Sequence, residues 1–257
     1  MTDTGPDGGP SDTPSDTDRM HRPEISVVIP VCNEAENVAP LAAEVAGALA
    51  GRDFEILFVD DGSTDGTADV VRAVRDGGIP QVRLLRHSFR NGQSAAVCTG
   101  VREARAEWIA TLDGDGQNDP ADIPALVAAR GDARLVMGNR VGRRRDTWLR
   151  RLQSRVANGV RSALLGDGTP DTGCGIKLMH RDTFLDLPRF DHMHRFLPAL
   201  FQRAGARVVS VPVNHRPRER GVSKYGMLDR LWVGIVDILG VMWLKRRFKA
   251  GLAVREE

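Results

Sequence analysis

At 257 residues, with 41% hydrophobic and 27% charged side chains, the chain has the length and composition of one globular core, which excludes a fibrous or wholly disordered architecture and leaves little room for two full domains. A formal net charge of +2 points by itself to neither nucleic acid nor membrane. Three cysteines at unrelated spacings, Cys32, Cys98 and Cys174, with no Cys-x-x-Cys pair, exclude a disulfide framework or zinc site and fit a reducing compartment.

Residues 1–22 read as an acidic leader whose first 18 residues are Asp, Thr, Gly, Pro and Ser apart from Met1, with no secretory signal and too little apolar surface to offset ordering entropy, so disorder is expected there. The first strand is predicted at Ile25-Ser-Val-Val-Ile-Pro30, β-branched and bounded by prolines. A helix follows from Glu34, with Val38, Leu41, Val45 and Leu49 at helical spacing, and Phe54 to Val59 is again strand-like. Asp65 is expected to cap a helix through Arg75. Val82 to Leu85 reads as a strand, Gln93 to Arg105 as a helix, and Trp108 to Leu112 as a strand. Such alternation predicts an α/β fold, a doubly wound and mostly parallel sheet with helices on both faces.

Ligands of such sheets bind outside the carboxyl ends of the strands. Those positions are polar here: Cys32-Asn-Glu34, Asp60-Asp-Gly-Ser-Thr-Asp65 and Asp113-Gly-Asp-Gly-Gln-Asn-Asp119. Asp113, Asp115 and Gln117 alternate on a glycine-containing turn, a hard-oxygen set that suits Mg²⁺ or Mn²⁺. Asp and Gly are also ordinary turn residues, but the position at a strand's carboxyl end favours a site. A calcium loop fails on both clusters, since Arg72 and Pro124 stand where a bidentate Glu is required. A dinucleotide fold fails because no Gly-x-Gly-x-x-Gly follows the first strand. Asp60 and Asp61 would repel phosphate yet can accept hydrogen bonds from a base or a ribose.

Val28-Ile-Pro-Val-Cys-Asn-Glu34, Asp60-Asp-Gly-Ser63 and Asp113-Gly-Asp115 together resemble the nucleotide-binding motifs of the family-two glycosyltransferases, whose fold is called GT-A. Asp113-x-Asp-x-Gln117, Gly138-Asn-Arg140, Asp171-Thr-Gly-Cys-Gly175 and Arg218-Glu-Arg-Gly-Val-Ser-Lys224 narrow the resemblance to the dolichyl-phosphate mannose synthase branch, whose acceptor is a polyprenyl phosphate. The similarity runs from about residue 25 to 225, with Cys32 departing from an aromatic common in the family. It implies a glycosyltransferase domain over 23–225, followed by an amphipathic helix and basic tail over 226–257.

By that resemblance Pro30, Asn33, Glu34, Asp60, Asp61 and Ser63 hold the base and ribose of a nucleotide-diphosphate sugar. Asp113 orients nucleotide or metal, Asp115 and Gln117 ligate Mg²⁺ or Mn²⁺, and Arg218 and Lys224 close over the phosphates. Arg140, Arg150 and Ser154 resemble the acceptor-phosphate site, in a segment from Gly138 to Arg161 that carries eight arginines against one acid, Asp146. Asp171 has a site position, and is the general base that a saccharide hydroxyl would need in an alternative family-two reaction of cell-envelope glycan synthesis.

The run Leu231 to Leu244 has fourteen residues, roughly 21 Å as a helix, against a hydrocarbon core about 30 Å thick. With Asp237 inside it and basic residues 245–249 behind it, the run reads as an interfacial anchor, a helix docked on the protein's own core being the rival and compatible reading. The expectation is an inverting, metal-dependent glycosyltransferase on the cytoplasmic face of a membrane, peripherally bound, with room for an integral-membrane partner. A non-catalytic basic module binding nucleic acid or lipid is the last alternative, and it leaves the acidic residues at three strand ends unexplained.

Overall fold

The computed structural model describes residues 22–140, 159, 161–217 and 227–247. The leader through residue 21, Arg150, Ser154, Arg218, Lys224 and the tail after 247 lie outside the described residues.

Seven strands form one sheet: β1 (Ile25–Val31), β2 (Phe54–Asp60), β3 (Val82–Arg86), β4 (Trp108–Thr111), β5 (Leu135–Asn139), β6 (Lys177–His180) and β7 (Val208–Pro212). Their order is β3-β2-β1-β4-β6-β5-β7. All pairings are parallel except those of β6, which runs antiparallel to both β4 and β5. The mostly parallel α/β sheet expected from the sequence is therefore present.

The buried runs in β1 and β2 divide with a period of two, because successive side chains leave a strand on opposite faces. Val27, Ile29, Ile56 and Phe58 join one core with Val38, Leu41 and Val45 of α1 (Ala35–Ala48) and Ile123 and Leu126 of α4 (Ile123–Ala128). Val28, Leu57 and Val59 join the other, with Ala96, Val97 and Val101 of α3 (Gln93–Glu103), Phe184 of α5 (Arg181–Leu185) and Leu200 and Phe201 of α6 (Leu197–Arg203). Each of these side chains larger than alanine contributes about 1.5–3 kcal/mol of burial. Pro40 lies inside α1 but on its solvent face, where water can serve the carbonyl its missing N–H leaves.

The cap assigned to Asp65 is displaced by one residue. Helix α2 (Thr67–Asp76) is preceded by Gly66 in the left-handed region, while the Asp65 carboxylate accepts hydrogen bonds from Thr67 N (3.1 Å) and Ala35 N (3.3 Å) and so ties α2 to α1.

The last helix, α7 (Met227–Arg247), docks and remains exposed at once. Val241 is buried in the second core with Ile238 and Met242 beside it, the Arg203 Nε donates to Leu244 O (3.1 Å), and the Lys245 ammonium donates to Leu165 O. Ile235, Val236, Leu239 and Trp243 project from the opposite side into solvent. No described helix is long and apolar enough to cross a membrane.

Candidate active site

The parallel register of β1, β2 and β4 brings their carboxyl ends to one edge of the sheet. Asn33, with φ 54, donates its N–H to Ser63 Oγ (2.9 Å) and accepts at Oδ1 from Thr64 N (2.8 Å); Glu34 N donates to Thr67 Oγ1 (3.0 Å). The first two loops are thus one knitted unit, and Asn33, Glu34 and Ser63 meet in it as expected.

Asp60 and Asp61 are both buried, and their oxygens already hold the protein together. Asp60 accepts from Ser63 N (2.9 Å) and from Arg86 Nε (3.1 Å). Asp61 accepts from Asn91 N and Gly92 N (both 2.8 Å) and lies 2.8 Å from His87 Nδ1. The loop after β3 is cross-tied to the loop after β2 in this way, with Gly62 (φ 72) so close to it that a Cβ would stand 2.8 Å from Arg90 N.

The carboxylate turn leaves β4 beneath Pro30, whose carbonyl would stand 2.8 Å from any Cβ at Gly114. Asp113 N donates to Asn118 Oδ1 (3.0 Å), Gln117 N donates to Asp115 Oδ1 (3.2 Å), and Gln93 Nε2 donates to Asp113 Oδ1 (2.8 Å). Gly175 presses on the turn from behind, where a Cβ would overlap Asp113 Oδ2. Burial raises the Asp113 pKa above the usual carboxylate range; the Lys177 charge opposes this and Asp115 reinforces it.

Among the described residues no three His, Cys, Asp or Glu side chains converge as a metal cage. Two carboxylates on one turn, with an amide oxygen two residues on, fit a divalent cation whose remaining ligands would come from phosphates and water.

Arg140 and Asp171 form a bidentate pair, with Nε to Oδ2 at 2.8 Å and Nη2 to Oδ1 at 3.0 Å, and Arg140 N also donates to Oδ2 (3.1 Å). Both side chains are largely buried. Two residues named separately from the sequence are therefore one electrostatic unit.

Lys177 and Arg216 were not legible as site residues, and Gln93 was legible only by its place after the third strand. Lys177 is buried on β6, donates to Cys174 O and has its pKa pulled down chiefly by burial, with Asp113 opposing. Gln93 follows the third strand's loop, so the rule that pointed to the other three strand ends would have found it. Arg216 sits in 213–217, a strap that pairs with the carboxylate turn through a bridge between His215 and Asn118.

His194 lies against α3, its Nδ1 2.7 Å from Ser94 Oγ. Burial, aided by the charges of Lys177, Arg195 and His192, lowers its pKa from the ordinary 6.5 to about 3. The unfolded chain therefore takes up a proton that the native state refuses. Stability present above pH 6.5 is lost as pH falls toward 3, at up to about 1.4 kcal/mol per pH unit. Urea midpoints should accordingly fall more steeply between about pH 6.5 and about pH 4.5 for the wild type than for His194→Gln; equal slopes would remove His194 as the group responsible.

The glycosyl transferase family 2 model matches residues 26–187, more than half of the chain. Among curated proteins, the chain is 37% identical over 231 residues to the dodecaprenyl-phosphate galacturonate synthase of Rhizobium johnstonii, covering 87% of this chain and 68% of that protein. It is 34% identical over 208 residues to the undecaprenyl-phosphate 4-deoxy-4-formamido-L-arabinose transferase of Edwardsiella ictaluri, covering 79% of this chain and 63% of that one. Among solved structures, glucosyl-3-phosphoglycerate synthase from Mycobacterium tuberculosis with Mn²⁺ and UDP superposes with a TM-score of 0.63 at 19% identity, over 87% of this chain and 80% of that chain. Mannosyl-3-phosphoglycerate synthase from Rubrobacter xylanophilus gives 0.63 at 16% identity, over 91% and 79%. These two share the fold, a mostly parallel sheet of GT-A type. With a match to the family model from the first strand into the segment after β6, the chain belongs to glycosyl transferase family 2.

Proposed function

We propose that the chain moves a sugar from a nucleotide-diphosphate sugar to a polyprenyl phosphate at a membrane surface, with inversion. The observation that carries this reading over transfer to a saccharide hydroxyl is the Arg140–Asp171 pair. A hydroxyl nucleophile needs a base, yet both Asp171 oxygens accept hydrogen bonds from Arg140. A phosphate acceptor is already anionic and needs placement and desolvation instead. The names of the two curated relatives, both polyprenyl-phosphate sugar transferases, support the same acceptor class.

In this mechanism Asn33, Glu34 and Ser63, beside Pro30, form the floor for base and ribose, with Ser63 N held by the Asp60 carboxylate and the adjoining loop held by Asp61 at Asn91 and Gly92. Asp113, Asp115 and Gln117 hold Mg²⁺ or Mn²⁺, which when bound supplies Lewis-acid neutralisation of the departing diphosphate. Gln93 and Lys177 keep the Asp113 side chain in place from the protein side. The family resemblance assigns Arg218 and Lys224 to the phosphates and Arg140, Arg150 and Ser154 to the acceptor phosphate; of these Arg140 alone lies among the described residues.

Docking at the surface falls to the exposed side of α7. Ile235, Val236, Leu239 and Trp243 enter the interface, and Arg246 and Arg247, exposed at the helix end, meet anionic head groups at about 1 kcal/mol each. Lys245 is not part of that contact, because its ammonium is held by Leu165 O. The exposed face can be altered without opening the core. Leu239→Glu with Trp243→Glu should lower binding to anionic liposomes by about tenfold or more and slow transfer to long-chain polyprenyl phosphate, while a short-chain acceptor is used as before. Liposome binding and long-chain transfer at wild-type levels would remove α7 from the membrane contact. The acceptor itself is tested by incubating nucleotide sugars and Mn²⁺ with polyprenyl phosphate or free saccharide; product only on the saccharide would overturn the proposed acceptor.

A further inference from the structure

Helix α3 carries Gln93, whose amide holds Asp113, on its first turn, and that turn has no cap of its own. Gly92, at the N-cap position with φ 89, offers no side-chain acceptor to the first N–H groups, so the helix is weakest at this end. The body of α3 is seated by Ala96, Val97 and Val101 in the second core, but Gln93 precedes all three. Its Nε2 donates to Asp113 Oδ1 at 2.8 Å, a bond whose length and angle hold only while the turn keeps its place.

Two contacts from outside the helix take over from the missing cap. Asp61 Oδ2 accepts from Gly92 N (2.8 Å) and fixes the backbone just ahead of the turn. The second contact comes from residues 191–194, between α5 and α6. Ser94 Oγ lies 2.7 Å from His194 Nδ1 and accepts, at 3.4 Å, from His194 N. The His194 ring stays neutral near pH 7, and a neutral imidazole has one nitrogen that accepts, so Nδ1 can take the Ser94 hydroxyl hydrogen while the His194 N–H is given to Oγ. The clasp is itself anchored. Met193 is buried with its Sδ 3.7 Å from Cys98 Sγ, and His192 Nδ1 stands 3.3 Å from Asp237 Oδ2 on α7.

Ser94 and Gln93 are neighbours on one turn, so a shift of the first carries the second. We propose that His194 is a positioning residue for the transfer step: through Ser94 it fixes the first turn of α3 and so holds the Gln93 amide against Asp113. It acts on the orientation of Asp113 and not by touching substrate. A hydrogen bond that served the fold alone would affect turnover independently of Gln93, whereas the effect of this one depends on Gln93 being there. The inference rests on the reading of Asp113 as part of the donor and cation site given above.

The test uses the full chain as wild type, Ser94→Ala, His194→Leu, His194→Asn, Gln93→Ala, and Ser94→Ala combined with Gln93→Ala. Each is assayed for sugar transfer to polyprenyl phosphate with Mn²⁺ and for thermal melting. Ser94→Ala removes one buried hydrogen bond and should melt about 3–6 °C lower. Ser94→Ala, His194→Leu and Gln93→Ala should each lose about tenfold in kcat through misplacement of Asp113. The double variant should keep the kcat of Gln93→Ala to within about threefold, although its melting temperature carries the Ser94→Ala loss as well. His194→Asn, whose amide puts a hydrogen-bonding atom where Nδ1 stands, should stay within about threefold of wild type in kcat. Losses in kcat that multiply in the double variant, an unchanged kcat in Ser94→Ala, or a His194→Asn chain no better than His194→Leu each overturn the role of His194 alone. Should His194→Leu fail to fold, the Ser94→Ala cycle decides the matter. A wild-type rate in Asp113→Asn overturns the reading of Asp113 and this inference with it.

Discussion

Replacing Asp115 with Asn, or Gln117 with Ala, should lower sugar transfer by about a hundredfold or more while the melting temperature hardly moves. Both side chains are half-buried on a turn outside the two cores, so little packing is lost. Each change removes an oxygen from the proposed cation site, and the transition-state charge that a bound cation neutralises is worth several kcal/mol, of which about 2.7 kcal/mol is already a hundredfold. Asp115→Asn also keeps an acceptor for Gln117 N, so a loss of activity there cannot be assigned to a collapsed turn. Turnover by either variant at the wild-type rate, with saturating Mg²⁺ or Mn²⁺, would exclude these residues as ligands.

Asp171→Ala should have the largest effect on the fold of any single change at the site. It leaves the Arg140 guanidinium largely buried, with neither of its two hydrogen bonds to carboxylate. Breaking one partner of a buried pair costs about 3–5 kcal/mol, a drop in melting temperature on the order of 10 °C for a domain of this size. Removing both charges, as Arg140→Met with Asp171→Leu, should recover most of the stability but not the transfer activity. An Asp171→Ala chain that melts with the wild type would show that the pair is dispensable to the fold.

The first half of the molecule was legible because its strands are dominated by β-branched and aromatic residues, as Ile25 to Val31 and Phe54 to Val59 show, and because parallel strands place their loops at one edge. Strand β6 was not. Lys177-Leu-Met-His180 is four residues long, buried throughout and begins and ends on polar groups, so neither alternation nor an apolar run marks it. Only its long-range pairing with β4 and β5 makes it a strand. Within the site, residue type and strand-end position placed Asp113, Asp115, Asn33 and Ser63 together. They did not show that Asp60 and Asp61 spend their oxygens on Arg86 and on the backbone of Ser63, Asn91 and Gly92, because a carboxylate that binds a ligand and one that braces a loop look alike in a sequence. Arg140 and Asp171 were each singled out as site residues, but their union is fixed by how β5 and the loop before β6 are brought side by side.

That late antiparallel strand also governs how the chain assembles. Strands β1 to β4 emerge from the ribosome in sequence and join one another through local crossovers, but the outer edge of β4 has no neighbour until Lys177 to His180 has been synthesised. In the interval Ile109 and Ala110 stand on an open edge whose unpaired N–H and C=O groups can template pairing with another chain. Aggregation during synthesis is thus governed by how quickly β6 reaches β4, and a chain interrupted before Lys177 carries the half-sheet's adhesive edge into solution.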